Sequence, residues 1–234
     1  MVDRSVRRAG AGAAMLGAIL GIAFNVLHPR GSGVTVADEL SLVSGSPIWL
    51  FDHFMLVWAV LISLVGLVVI GLSFDQDPGR SWGRVAAALG IAGGAIALTA
   101  IFMDGLANHA AAAEWAASGS SAALASGAAV VAVTTAMFTG LMFTFFGLTP
   151  VLFGTAVLKS NEYPRWLGYL AVGAGLLGLV TGSIQFMNGI SALTANILFP
   201  ISSLAFTIWV LVMGWTLWKR SEEVVATTAK EAIA

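Results

Sequence analysis

Apolar residues run along this chain in six long blocks, at about 8–27, 50–74, 82–104, 127–157, 166–187 and 195–218. A hydrocarbon core of roughly 30 Å takes about 20 apolar residues per helix, so each block predicts one membrane-spanning helix. The breaks between them are polar or rich in Gly and Pro, as in FDQDPGRSWGR, LKSNEYPR and NGISA. The fourth block is long for one span. It is expected to tilt, or to bend at Pro150, whose ring removes a backbone donor, and Pro200 is expected to disturb the sixth in the same way. The connection LANHAAAAEWAASGSSAALAS, residues 106–126, has an Ala-rich first half that favours helix. It predicts a short helix on the membrane surface with Trp115 at the headgroups, serving as a connector or as a lid over a pocket.

Charge gives these spans a direction. With the N-terminus placed inside, Arg4, Arg7, Arg8, Arg80, Arg84, Lys159, Arg165, Lys219, Arg220 and Lys230 fall on the inner side and only Arg30 falls outside. By the positive-inside rule this predicts an even number of spans with both termini cytoplasmic. The basic start and first apolar run resemble a signal peptide, but no small-x-small pattern closes the run, so it reads as an uncleaved first span. The expectation is an all-α, polytopic, multi-pass protein of a bacterial plasma membrane. Residues 1–220 form a single six-span domain, and residues 221–234 form a polar cytoplasmic tail.

Composition agrees with this picture and narrows the chemistry. Charged residues make up 10% of the chain, against about 25% in soluble domains. A net charge of -1 argues against nucleic acid as a partner, leaving membrane lipids. Without cysteine, disulfides, thiolate metal sites and thiol catalysis are all excluded. Small residues spaced by four, Gly17 and Gly21, Gly90 and Gly94, Gly178 and Gly182, let helices approach closely within one bundle or between copies of a homo-oligomer.

The third and fifth blocks also align with each other. At an offset of 84 residues Trp82 meets Trp166, Gly94 meets Gly178, and FMDG from Phe102 meets FMNG from Phe186. With His28 closing the first block, the fold reads as three pseudo-repeated helical hairpins. Each would deliver one polar group, His28, Asp104 or Asn188, at similar depth.

The candidate chemistry lies on the predicted outer side, where all three histidines fall. His28 ends the first span, Asp52 and His53 open the second inside IWLFDHFMLVW, and Asp104 and His109 close the third ahead of Glu114. Ionisable residues in so apolar a setting are costly and tend to be functional. Imidazole and carboxylate together suit a divalent metal, zinc first. His28, His53 and His109, with Asp52, are the candidate ligands, and Asp104 or Glu114 is the candidate catalytic base. Haem held by two of the histidines is the alternative cofactor. No His-Glu-x-x-His motif or i, i+4 histidine pair is present, so the site rests on predicted proximity. Histidines and carboxylates in contact with water and headgroups remain an alternative. A second candidate is a ligand pocket lined by Asn25, Gln185, Asn188 and Asn196 beside Asp52, suited to a lipid-like or small amphipathic molecule. Interhelical hydrogen bonding is the plainer role for the same residues.

The segments RRAGAGAAMLGAILGIAFNVLHP and YPRWLGYLAVGAGLLGLV resemble a widespread family of bacterial six-helix membrane proteins of unknown function. The likeness lies in the Arg-Ala-Gly and Pro-Arg-Trp-Leu-Gly starts. The resemblance implies six spans and a bacterial origin, and it transfers no catalytic residue. The leading expectation is therefore a metal-dependent membrane enzyme acting on a lipid-like substrate. The competing ones are a non-enzymatic lipid or small-molecule binding or transport protein, and a structural membrane subunit.

Overall fold

The computed structural model describes residues 2–30, 35–191 and 193–231. These form α1 (Arg4–Leu27), α2 (Val36–Gly45), α3 (Trp49–Leu72), α4 (Gly79–Phe102), α5 (His109–Ser118), α6 (Ser121–Phe143), α7 (Thr149–Lys159), α8 (Arg165–Asn188) and α9 (Phe199–Glu231). Among the described residues six helices are long and apolar enough to cross a membrane, in an all-α polytopic arrangement. The predicted tail continues α9 as far as Glu231, and residues 232–234 lie outside the described residues.

Three π-helical turns join helices into longer spans. Thr144–Leu148 leads into α7, which carries Pro150 in its first turn, and Thr194–Leu198 leads into α9, which carries Pro200. The wider turn accommodates a ring that cannot donate, so the disturbance expected at both prolines occurs just before each of them. The third π turn, Met103–Asn108, contains no proline and includes Asp104. It continues α4 directly into α5, so the third span runs on to Ser118. The surface helix expected over 106–126 is therefore an extension of the span. It stops at Gly119, whose φ of +55° suits glycine, and Ser120 caps α6 through the Ala123 N–H.

The spans close into a ring. α1 packs on α3, α3 on α4, α4 on α7, α7 on α8, α8 on α9, and α9 returns to α1. The interior is filled by buried residues from all of them, among them Ala14, Leu67, Phe153, Leu167, Phe206 and Trp209. Close approach is set by small residues, as expected for helices in lipid. A Cβ on Gly17 would lie 2.6 Å from the Ser63 backbone nitrogen, so α1 and α3 touch main chain to main chain there.

The two ends of the bundle differ. At one end α2 packs against α5 and α6 and buries with them a small cluster of Leu40, Val43, Trp49, Ala111 and Ala112, with Trp115 packed on its edge. At the other end charged side chains tie the loops together. Arg7 Nη2 donates to both carboxylate oxygens of Asp75, at 2.8 and 3.0 Å. Glu162 accepts from the backbone N–H groups of Asp75 and Gln76 at 2.9 and 3.1 Å, and from Arg220 at 3.3 Å. Arg220 lies over the Tyr163 ring, and Tyr163 shares a 2.5 Å hydrogen bond with Ser73. Glu162 thus holds three elements at once. Glu162→Ala leaves two backbone donors and a guanidinium without their acceptor, and is expected to cost about 1–3 kcal/mol. Thermal unfolding in detergent reads this loss, and an unchanged midpoint would show that the network is only decorative.

Candidate metal centre

The first residues of α3 build the site. Trp49, Asp52 and His53 project from one turn of that helix, and the end of α1 brings His28 to meet them. Asp52 is 1% and His53 4% exposed. His28 Nδ1 lies 2.7 Å from Asp52 Oδ2, and His53 Nδ1 lies 3.9 Å from the same oxygen. The imidazole centroids are 5.1 Å apart, and Trp49 lies against both rings, at 5.3 and 4.6 Å. His28, Asp52 and His53 can each offer one ligand atom within 4.8 Å of the others. A tetrahedral zinc with bonds near 2.0–2.1 Å brings its ligand atoms to roughly 3.3–3.5 Å, so closure on an ion needs about an ångström of side-chain movement.

The other carboxylate, Asp104, holds His53. His53 Nδ1 is 2.8 Å from the Trp49 carbonyl, which can only accept, so Nδ1 carries a hydrogen and donates. Nε2 faces Asp104 Oδ2 at 3.1 Å. A bare nitrogen lone pair against a carboxylate would repel, so a proton lies on that line, held by one partner or the other. Asp104 Oδ1 accepts from Asn108 Nδ2 at 2.8 Å, and its backbone carbonyl accepts from the Trp49 indole at 3.2 Å. The π turn permits this arrangement. A Cβ on Gly105 would come within 2.7 Å of His53 Cβ and 2.9 Å of Cγ, so glycine beside Asp104 is what lets the ring approach.

The chemistry of the donor set fits a cation. Asp52 Oδ1 is buried and has no hydrogen-bond partner among the described residues, which is costly in an apolar interior. Glu39 on α2 adds a third carboxyl near Asp104 and His28. Its carboxyl is pushed above the ordinary carboxylate range, first by burial and then by the charge of Asp104, while His28 pulls it back. Three carboxyls against two imidazoles leave a surplus of negative charge that protons or a divalent ion can neutralise. A raised folded-state value means that the folded chain holds the proton more tightly than the unfolded one. Stability from this group is therefore full below its ordinary value of 4.5 and declines as pH rises toward the raised value. Glu39→Gln is expected to raise the unfolding midpoint of the metal-free protein at pH 7 and to leave it unchanged near pH 4. A lower midpoint at pH 7 would contradict this.

The expected residues divide as follows. His28, Asp52 and His53 come together, and Asp104 joins them as the partner of His53. His109 is a correction: it is not part of this group. Asn108 Nδ2 bonds Asp104 Oδ1, whereas His109 is not among the described residues whose ligand atoms come together. Glu114 is exposed near the end of α5, and the further carboxyl that feels His28 and Asp104 is that of Glu39. The His28 and His53 imidazoles touch edge to face, with no slot between them for a macrocycle, so this pair does not fit the haem alternative. Of the expected ligand pocket, Asn25 is half-buried on α1 and lines a cavity with His28, while Gln185 is buried with Oε1 unpartnered. Asn188 and Asn196 are exposed at the ends of α8 and α9 and do not meet the cluster, so FMDG ends in a buried carboxylate where FMNG ends in an exposed amide. Glu39 and Asn108 were not anticipated. The signal for Asn108 was its i+4 spacing from Asp104, whereas Glu39 lies in a connection that gave no sign of folding back.

The chain is thus a membrane-type helical bundle with a buried His/Asp/His group able to hold a metal ion. Comparison with protein-family models, with curated proteins and with solved structures found no match.

Proposed function

We propose that the protein binds a divalent metal ion, zinc by preference, at His28, Asp52 and His53, and uses it in hydrolysis at the outer face of a bacterial membrane. The observation that supports this is the meeting of two imidazoles and a buried, half-satisfied carboxylate from separate helices. Nitrogen and carboxylate oxygen are the donors that zinc takes. A zinc held there supplies a water that ionises near neutral pH. To ligate, His53 would turn Nδ1 from the Trp49 carbonyl to the ion and give up the proton there, while Asp104, itself held by Asn108, keeps Nε2, the support by which outer groups tune metal ligands. Glu39, with its raised proton affinity, is placed to take up or return a proton beside the site.

The test is elemental analysis of protein purified without a polyhistidine tag. The expected result is close to one zinc per chain, with His28→Ala and His53→Ala each reducing it to background and His109→Ala leaving it intact. Wild-type protein that takes up no divalent metal after dialysis against zinc would overturn the reading.

A further inference from the structure

Behind the imidazoles lies a cavity of ≈ 120 Å³. His28, His53 and Asp104 line its polar end, and Phe138, Phe145 and Phe146 line its apolar depth. Along α1 it runs from His28 to Gly17, about 16 Å at 1.5 Å per residue. A second cavity, of ≈ 60 Å³, lies between α1 and α9 and shares Gly21, Asn25 and Thr207 with the first. Its outer wall includes Val26 and Leu204, which are 70% and 45% exposed on the surface of the bundle, and Arg30 stands at its rim. The two spaces thus adjoin at those three residues, one reaching the lipid-facing surface and the other the histidines, and together they mark out a path.

Three properties of this path choose its occupant. It opens within the length of the spans, where the surrounding medium is hydrocarbon. Its depth is walled by aromatic rings, and apolar cavities of this order stay dry or take an apolar group. Arg30, which sequence patterning places as the lone Lys or Arg on the histidine side, gives its rim a positive charge. We propose that the path holds the first segments of one alkyl chain of an anionic membrane lipid, which enters between α1 and α9 with its headgroup at Arg30 and its chain beginning beside Asn25 and His28. Glycine at position 21 keeps the passage open. A Cβ there meets only Thr207 Cγ2, at an ordinary 3.7 Å, so a larger side chain fills the path without forcing the helices apart. The proposal deepens the metal reading by naming the class of molecule brought to that site, but it stands on the cavity and does not need the metal.

Native mass spectrometry of the full chain in detergent, titrated with phosphatidylglycerol or phosphatidylcholine, tests it. Wild-type protein is expected to hold one phosphatidylglycerol at least about tenfold more tightly than phosphatidylcholine. Gly21→Leu is expected to weaken that first lipid about tenfold or more while keeping the wild-type unfolding midpoint, since leucine is a better helix former than glycine. Thr207→Leu fills the same passage from the α9 side and is expected to do the same. Arg30→Gln is expected to abolish the preference for the anionic lipid. His28→Ala is expected to lose zinc and keep the lipid, which separates failure of this proposal from failure of the metal reading. Equal lipid binding by wild type, Gly21→Leu and Thr207→Leu, or no preference for phosphatidylglycerol in wild type, would overturn it.

Discussion

Asp104→Ala is expected to be among the most damaging single changes at the histidine end. It removes the acceptor facing His53 Nε2 and the partner of Asn108 Nδ2 together, in a place where Asp104 is 8% and Asn108 2% exposed. Taking away one member of a buried pair that shares a proton strands the other, and where a charge is stranded such losses run to about 3–5 kcal/mol. The expected result is a clear fall in the unfolding midpoint in detergent. Zinc affinity is expected to fall by roughly 10–100-fold, the usual effect of removing a group that orients a ligand histidine. Asp104→Asn separates shape from charge, because the amide keeps the size and one hydrogen bond but cannot balance a proton on His53. It is expected to recover most of the stability and less of the metal affinity. If Asp104→Ala unfolds like wild type and binds zinc equally well, the link between Asp104 and His53 carries no energy.

Gly105→Val is expected to have the second large effect, by a different route. Its Cβ would meet His53 Cβ, Cγ and Cδ2 at 2.7, 2.9 and 3.1 Å. His53 is buried and bonded at both ring nitrogens, so it cannot swing aside without losing one of those bonds. Overpacking of this kind costs about 1–3 kcal/mol, and displacement of the ring from Asp104 is expected to lower zinc uptake as well. The contrast with Gly21 makes the prediction specific. Both are glycines near the site, yet one has a ring pressed against it and the other would meet Thr207 Cγ2 at an ordinary 3.7 Å, so Gly21→Val is expected to be tolerated. Equal tolerance at both positions would show that His53 is loosely held.

Much of the architecture is legible in the order of residues. Each predicted span is found, five of them within about six residues of their expected limits and the third running on to Ser118, because a run of apolar side chains reports the surrounding medium directly and needs no knowledge of neighbouring helices. The π turns just ahead of Pro150 and Pro200 are equally local, since a missing N–H disturbs the helix wherever it occurs. The site was legible only in part. His28, Asp52 and His53 were singled out because ionisable residues stand out in apolar surroundings, and proximity along the chain already places Asp52 beside His53. The choice between His109 and Asn108 depended on the rotation of one helix about its axis, which a π turn shifts and which no residue count reveals.

By itself, then, the sequence determined an all-α chain with six spans, gathered its histidines and several carboxylates toward one end, and excluded thiol chemistry. Those properties follow from composition and from short-range helical periodicity. The tertiary structure alone decided which polar groups meet. It brought Glu39 back over the histidine end on α2, set Gly105 against His53, turned Glu114 outward, and left an apolar path between α1 and α9 that ends at the imidazoles. These outcomes depend on contacts between residues far apart in the chain, where the fit of side chains and the close approach of glycines choose one helix rotation over another, and the pattern along a single segment carries no record of that choice.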